Sequence, residues 1–387
     1  MERTDALVKW TTSHGAFIHE HVQIYNDDIY GISLRSIENI QTQSRIVSCP
    51  FSLSLSYLNT LETFPSFKSR SSSGLPVPLS LHEILAPHVD RHVIGHFFLV
   101  LQYLLGVNSF WHPYIASLPQ PNEPAKLATP LYYDEDAKAF LIHTQVGKSS
   151  IVREEQWRGE WLRGRSKLDD AAEYASWSGK WSWELYKWAA TIFSSRSFVS
   201  SLIPNEAYEV DTASRAVVQS TATQQEGPMP VLFPLVDLAN HSPAARVTWY
   251  SDVRRSPMDL SLLTEVGLEK DRQIFNNYAP KGNSQLLLGY GFMLPDNADL
   301  IIAPKALGNP LKDIQQAWSA GQNNTSYTLR SRPFPYEEFD RLPVFSYLED
   351  GCVDHLILLT ANQRELSLIR SNLGRNMSSH HLVYVYL

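Results

Sequence analysis

The chain has 387 residues, with 33 Lys and Arg against 40 Asp and Glu, for a formal net charge of −7. At 43% hydrophobic and 19% charged it has the composition of a folded protein with a sizeable core, long enough for one large domain or two ordinary ones. The acidic balance argues against a protein held on nucleic acid by phosphate neutralisation, which needs a basic face; it permits a basic protein partner, such as a lysine-rich tail. Cys49 and Cys352 are the only cysteines, too few for a disulfide framework or a cysteine-based zinc cluster. Two buried thiols in a reducing compartment are expected. The start of the chain carries no secretory apolar core, and no apolar run is long enough to span a membrane. Cytoplasm or nucleus is therefore the expected location. Asn323-Asn324-Thr325 and Asn376-Met377-Ser378 match the glycosylation pattern but are expected to stay unmodified.

In chain order, the text from Ala16 to Cys49 predicts strands. Phe17–Ile24 mixes β-branched and polar residues at short period, Asn26-Asp27-Asp28 marks a turn, Gly31–Arg35 follows, and Arg45–Pro50 is stopped by proline. Ser and Pro crowd residues 60–78 into a loop. Over His92–Val107, Val93, Ile94, Phe97, Phe98, Leu101, Leu104 and Leu105 recur at helical spacing, closed by Gly106. A short helix is expected at Trp111–Leu118. A Trp-dense helical stretch follows at Asp169–Phe198, where Trp177, Trp181, Trp183 and Trp188 are expected in a core. Asp211–Gly227 is a polar loop, and Arg246–Tyr250, Leu260–Thr264 and Gln273–Tyr278 are strand candidates. After Asp299 the text turns helical, at Leu311–Trp318 and Cys352–Ile369, and His380–Leu387 reads as a strand. No internal repeat is found.

Two runs between Phe233 and Asp299 carry most of the functional information. Pro234–Ser242 reads as a buried apolar segment ending in the polar turn Asn240-His241-Ser242. Asn277–Phe292 reads as a Tyr-tipped strand, a Pro/Gly loop, a short apolar helix and a Tyr290-Gly291-Phe292 corner. Neither is a zinc, phosphate or dinucleotide motif. Together and in this order, Asp237-x-x-Asn240-His241-Ser242, then Tyr278, Lys281-Gly282-Asn283, a leucine-rich helix and Tyr290-Gly291-Phe292 resemble the SET-domain methyltransferases. The subfamily is the one typified by the plant Rubisco large-subunit lysine methyltransferase, with its fungal and animal relatives. The resemblance covers residues 16–55 and 190–300 well, the segment between them loosely and the tail poorly. It implies an α+β class: a SET fold of small β-sheets over residues 1–300, with a helical insert at about 56–190. A short helical C-terminal region over 301–387 follows, a truncated counterpart of the family's substrate-docking domain.

The resemblance also implies a chemistry: methyl transfer from S-adenosylmethionine to the side-chain amine of a lysine in a protein substrate, by a monomer acting away from nucleic acid and membrane. Many histone-directed SET enzymes carry cysteine-rich zinc modules, and their absence points to a non-histone substrate. Tyr290 corresponds to the catalytic tyrosine, which also borders the cofactor, and Tyr278 to the one that orients the incoming lysine. Asn240 would hold the cofactor's amino end, the His241 backbone would lie near the adenine, and Asp237 would support the turn. Ser195-Arg196-Ser197-Phe198 matches the family's Ser-Arg-x-Phe, so Arg196 would offer its planar fork to the cofactor carboxylate. Asp28 and Tyr30 fall at the cofactor's amino-acid end. The chain departs from the family twice: the usual Gly-x-Gly is reduced to Ile29-Tyr30-Gly31, and Gln285 replaces the acid of the usual Asn-x-Glu.

The chemistry needs a neutral amine. Removing a proton from a lysine of pKa 10.4 at pH 7 costs about 4.6 kcal/mol. Desolvation and a nearby positive charge both reduce that cost, so no strong general base is required, and tyrosine hydroxyls can accept from the amine and the polarised methyl.

Three other patterns carry less. His88, His92 and His96 recur every four residues and could share a helix face, but Val89 stands where a zincin has Glu, and a packed or solvated stripe is expected. Val146-Gly147-Lys148-Ser149 echoes a P-loop ending, yet Ile142 occupies the first glycine's place. No Gly-x-Gly-x-x-Gly follows a strand. Two rivals to the lysine methyltransferase survive: a non-catalytic SET-like protein-binding scaffold, encouraged by the altered Ile29-Tyr30-Gly31 and the short tail, and an enzyme with histidine as acceptor. Retention of Tyr290, Asn240, Arg196 and Tyr278 together favours an enzyme over the scaffold.

Overall fold

Alternation near the start of the chain builds paired strands. After a first helix, α1 (Glu2–Ser13), come β1 (Phe17–Ile18), β2 (Val22–Asp27), β3 (Gly31–Ser36) and β4 (Arg45–Pro50). β2 and β3 pair antiparallel from Val22↔Ser36 to Asp27↔Gly31. The computed structural model describes residues 2–27, 31–61, 67, 80–208, 228–279, 281–295 and 297. Beyond these it describes 299–302, 308, 311, 313–314, 327–331, 345–348, 355 and 358–372. Asp28 and Tyr30 therefore lie outside the described residues. So do the loop expected at 60–78 (apart from Thr60, Leu61 and Phe67), the loop at 211–227, and the ending at 380–387. Two units divide the chain: residues 1–278 with 288–291, and residues 279–287 with 292–387.

In the first unit the remaining strands are β5 (Phe198–Val199), β6 (Pro230–Val231), β7 (Asn240–His241), β8 (Val247–Asp252), β9 (Asp259–Thr264) and β10 (Gln273–Asn276). One four-stranded sheet has the order β1-β4-β9-β8, the other β2-β3-β10-β7. β4 and β9 are the inner strands of the first sheet, and Ile46, Val47, Cys49, Leu260 and Leu262 are all fully buried. Each such aliphatic side chain contributes roughly 1.5–3 kcal/mol. In the second sheet β10 pairs antiparallel with β3 and parallel with β7, through Phe275↔Asn240 and Asn276↔His241. That pairing sets the two informative runs side by side although they are far apart in the chain.

Between β4 and β5 the chain is helical, as expected for the insert. Its helices are α2 (Ser80–Leu85), α3 (Arg91–Leu105), α4 (His112–Ser117), α5 (Pro124–Leu127), α6 (Glu135–Leu141), α7 (Gln145–Asp170) and α8 (Trp183–Arg196). Asp134, Thr144 and Ser182 cap α6, α7 and α8 by accepting from the N–H groups of Ala137, Gly147 and Leu185. α3 ends at Gly106, in a positive-φ conformation. Three tryptophans donate their indole N–H groups to backbone carbonyls: Trp111 to Leu53, Trp161 to Trp181 and Trp188 to Pro119, at 3.0, 2.9 and 2.7 Å. α7 was not foreseen. Its 26 residues are mostly polar, and Val146, Trp157 and Leu168 are its only large buried apolar side chains. α1, equally polar, anchors through buried Leu7 and Thr11.

In the second unit a helix, α9 (Asn283–Tyr290), begins; its last residues belong to the first unit. Asn283 exchanges two hydrogen bonds with the Leu294 backbone. Gln285 is exposed. The region beyond 300, expected to be helical up to its last residues, also contains strands. Asp299–Ile302, Tyr327–Ser331 and Phe345–Leu348 are strands β11, β12 and β13 of an antiparallel sheet. Their residues alternate or run in β-branched and aromatic blocks too short for a helical stripe. Helix is found at α10 (Gln363–Asn372), within and just past the stretch expected to be helical, and Ile314, Leu358, Leu366 and Ile369 form a small cluster. Among the described residues no helix is long and apolar enough to cross a membrane.

Candidate active site

The turn before β7 carries the first group of site residues. Leu235 sits at φ +73°, the left-handed region that a non-glycine side chain seldom adopts. It leads a one-turn 3-10 segment, Val236–Leu238, that buries Asp237. The end of α8 brings Arg196 to the same place. Its Nη1 donates to the Asp237 carbonyl at 3.2 Å and lies 3.6 Å from Asp237 Oδ2. Tyr114 of α4 donates to that same Oδ2 at 2.7 Å, and the side chain of Asp237 is fully buried. Burial pushes the Asp237 carboxyl up, and Arg196 and Tyr114 oppose the shift. Asp237 thus does more than support a turn: it is the buried counter-ion that aims Arg196.

Asn240 and His241 occupy β7. Asn240 Nδ2 donates to Ser33 Oγ on β3 at 2.8 Å. The His241 imidazole is buried, its Nδ1 accepts from the Tyr278 backbone N–H at 3.1 Å, and its ring stacks on Tyr278 with centroids 5.0 Å apart and planes at 17°. An Nδ1 that accepts places the ring proton on Nε2. The expected role for His241 was a backbone contact; the imidazole itself supports Tyr278.

Tyr278 follows β10, and its hydroxyl donates to the Ala239 carbonyl at 3.0 Å. Tyr290 stacks on Tyr278, with centroids 5.0 Å apart and planes at 24°. Burial raises both phenols above their ordinary values, so both stay protonated through neutral pH. Tyr290 is the last residue of α9. Gly291 follows at φ +80°, so close to the Ala128 backbone that a Cβ there would stand 2.7 Å from the Ala128 carbonyl carbon.

The described residues therefore gather Tyr290, Tyr278, His241, Asn240, Asp237 and Arg196, linked through Ala239, β7 and the turn before it. Residues 28 and 30 have no described position. Tyr114 and Ser33 also touch this group, and Arg153 and Ser194 bond the Leu288 and Gly289 carbonyls just before Tyr290; no motif announced any of the four. Among the described residues no group of three or more His, Cys, Asp or Glu could hold a metal ion. His96 instead meets Tyr186 at 3.2 Å, Tyr186 donates to Glu160 at 3.0 Å, and His92 lies 3.3 Å from Glu160. Gly147 and Lys148 lie in the first turn of α7.

No protein-family model matches the chain. It is 28% identical over 375 residues to the ribosomal lysine N-methyltransferase set10 of Schizosaccharomyces pombe, covering 95% of this chain and 59% of that protein. It is 24% identical over 299 residues to the actin-histidine N-methyltransferase of Otolemur garnettii, covering 76% and 42%. The chain thus spans about three-fifths or less of these relatives' length. Among solved structures, the SET domain of LSMT bound to lysine and AdoHcy matches with a TM-score of 0.63 at 17% identity, across 96% of this chain and 74% of that one. The fold is that of a SET domain. The relatives it resembles are named as lysine and histidine N-methyltransferases.

Proposed function

We propose that the chain transfers a methyl group from S-adenosylmethionine to a side-chain nitrogen of a protein, with lysine in a non-histone protein as the acceptor. When bound, that cofactor supplies a methyl group activated by a sulfonium. The donor set fits its charged end. Arg196, with its side chain 24% exposed and one nitrogen committed to Asp237, offers further N–H groups to a carboxylate. Asn240 spends its Nδ2 on Ser33, so its carbonyl oxygen is the acceptor suited to an ammonium. Support also comes from the relatives, one named for ribosomal lysine and one for actin histidine.

The observation that carries the proposal is the aromatic stack of His241, Tyr278 and Tyr290 beside Asn240 and the Arg196–Asp237 pair. Stacked rings make a dry wall that disfavours a charged amine. The Tyr278 proton is already given to Ala239, so its oxygen faces an incoming N–H as an acceptor. Tyr290 completes the wall and offers the second phenol. No group in this cluster has to act as a strong base.

Calorimetry with S-adenosylmethionine and transfer of labelled methyl into a cell extract test the proposal: uptake of the cofactor and a marked protein band are expected. A well-folded protein that takes up no cofactor would instead be the scaffold. The similarity to an actin-histidine enzyme favours one second reading, an imidazole acceptor, and pH separates the two. A lysine acceptor, near pKa 10.4, makes kcat/KM climb about tenfold per pH unit between pH 6.5 and 9. An imidazole, near 6.5, makes it level off above about pH 7.5.

A further inference from the structure

A helix leaves its last carbonyls without partners inside the helix. At the end of α9 two of them, on Leu288 and Gly289, lie just before Tyr290. The insert supplies their donors. Arg153 of α7 donates Nη1 to the Leu288 carbonyl at 2.8 Å, and Ser194 of α8 donates Oγ to the Gly289 carbonyl at 3.4 Å. The two donors also meet each other, at 3.4 Å. Arg153 is half-buried, its guanidinium lies 5.6 Å from the Trp157 ring centroid, and no carboxylate among the described residues stands within ion-pair distance of it. Half-burying a guanidinium with no anion is costly, and its positive charge suits the negative end of a helix. Ser194 stands two residues before Arg196, so one helix end serves both sides of the site.

We propose that Arg153, assisted by Ser194, is a positioning residue that holds the last turn of α9 and thereby sets the Tyr290 ring against Tyr278. This rests on the methyltransferase proposal for its kinetic consequence, and on geometry alone for its structural one. Misplacing a reacting group by about 1 Å costs on the order of a hundredfold in rate, and the clamped carbonyls belong to the two residues immediately before Tyr290.

The test uses the full chain with 3-fluorotyrosine at position 290, read by fluorine NMR, beside steady-state kinetics and cofactor calorimetry. Arg153→Ala is expected to shift or broaden the position-290 resonance, to lower kcat about ten- to a hundredfold, and to leave cofactor affinity within threefold. Arg153→Lys, which keeps a donor and the charge, is expected to restore most of both. Ser194→Ala should act in the same direction and more weakly. An unchanged resonance with kcat within twofold of wild type overturns the proposal, as does a loss of cofactor affinity that parallels the loss of kcat. Should Arg153→Ala fail to fold, Ser194→Ala decides: a moved resonance supports the clamp and an unmoved one refutes it. The spectrum reads the clamp whether or not methyl transfer is found, so failure of the functional proposal is distinguishable from failure of this one.

Discussion

Tyr290 and Tyr278 are the two phenols of the site. Tyr278 gives its proton to Ala239, and both rings stack against each other, Tyr290 at the end of α9. Tyr290→Phe keeps the ring and removes the oxygen, so transfer should fall about a hundredfold or more with cofactor affinity nearly unchanged; single-turnover kinetics beside calorimetry check this. Asp237→Ala should do the reverse. It strips Arg196 of its counter-ion and leaves the Tyr114 hydroxyl without its acceptor, which should weaken cofactor binding and cost about 3 kcal/mol of stability, measured by urea unfolding. The roles of Tyr290 and Asn240 could be carried over by residue because their motifs are contiguous. The Asp237–Arg196–Tyr114 cluster could not, because 41 and 123 residues separate its members and nothing in spacing records such a pairing.

Elements, rather than single groups, hold these residues in register. α9 must end where it does, since Gly291 at φ +80° packs against Ala128. Gly291→Ala should cost about 1–2 kcal/mol for the backbone conformation alone, more for the clash, and should lower the rate by moving Tyr290; a thermal melt and kcat together test it. In the insert, α3, α7 and α8 share a network of His92, Gln156 and the buried His96, Glu160 and Tyr186. Desolvation, with His92 nearby, pushes His96 down to about 3, and hydrogen bonds from His92 and Gln156 hold Glu160 below its ordinary value despite its burial. The unfolded chain binds a proton at His96 below about pH 6.5 and the folded one does not. Stability should therefore fall as pH drops from about 6.5 toward 3, by a few kcal/mol. Urea midpoints across that window should show the loss, and His96→Gln should flatten it. α3 was legible because its apolar residues recur at helical spacing; α7 was not, because its stability comes from caps at Thr144 and from sparse contacts made by Trp157 and Leu168.

At the scale of the whole molecule, the charge of −7 favours encounter with a basic protein. If the acceptor segment is lysine-rich, kcat/KM should drop as ionic strength rises from 0.05 to 0.3 M while kcat holds, because screening shortens the reach of the field; a salt series on the identified substrate measures this. The α+β class, the paired strands of the first 50 residues, the helical insert and the two signature runs were determined by the sequence alone, since local periodicity and turn chemistry act over a few residues. Only the tertiary structure decided that β7 and β10 run side by side, that the His241 ring backs Tyr278, that Arg196 meets a buried carboxylate, and that strands accompany helix beyond residue 299. These depend on pairings across long stretches of chain, where burial and hydrogen-bond satisfaction, not local preference, choose the partner.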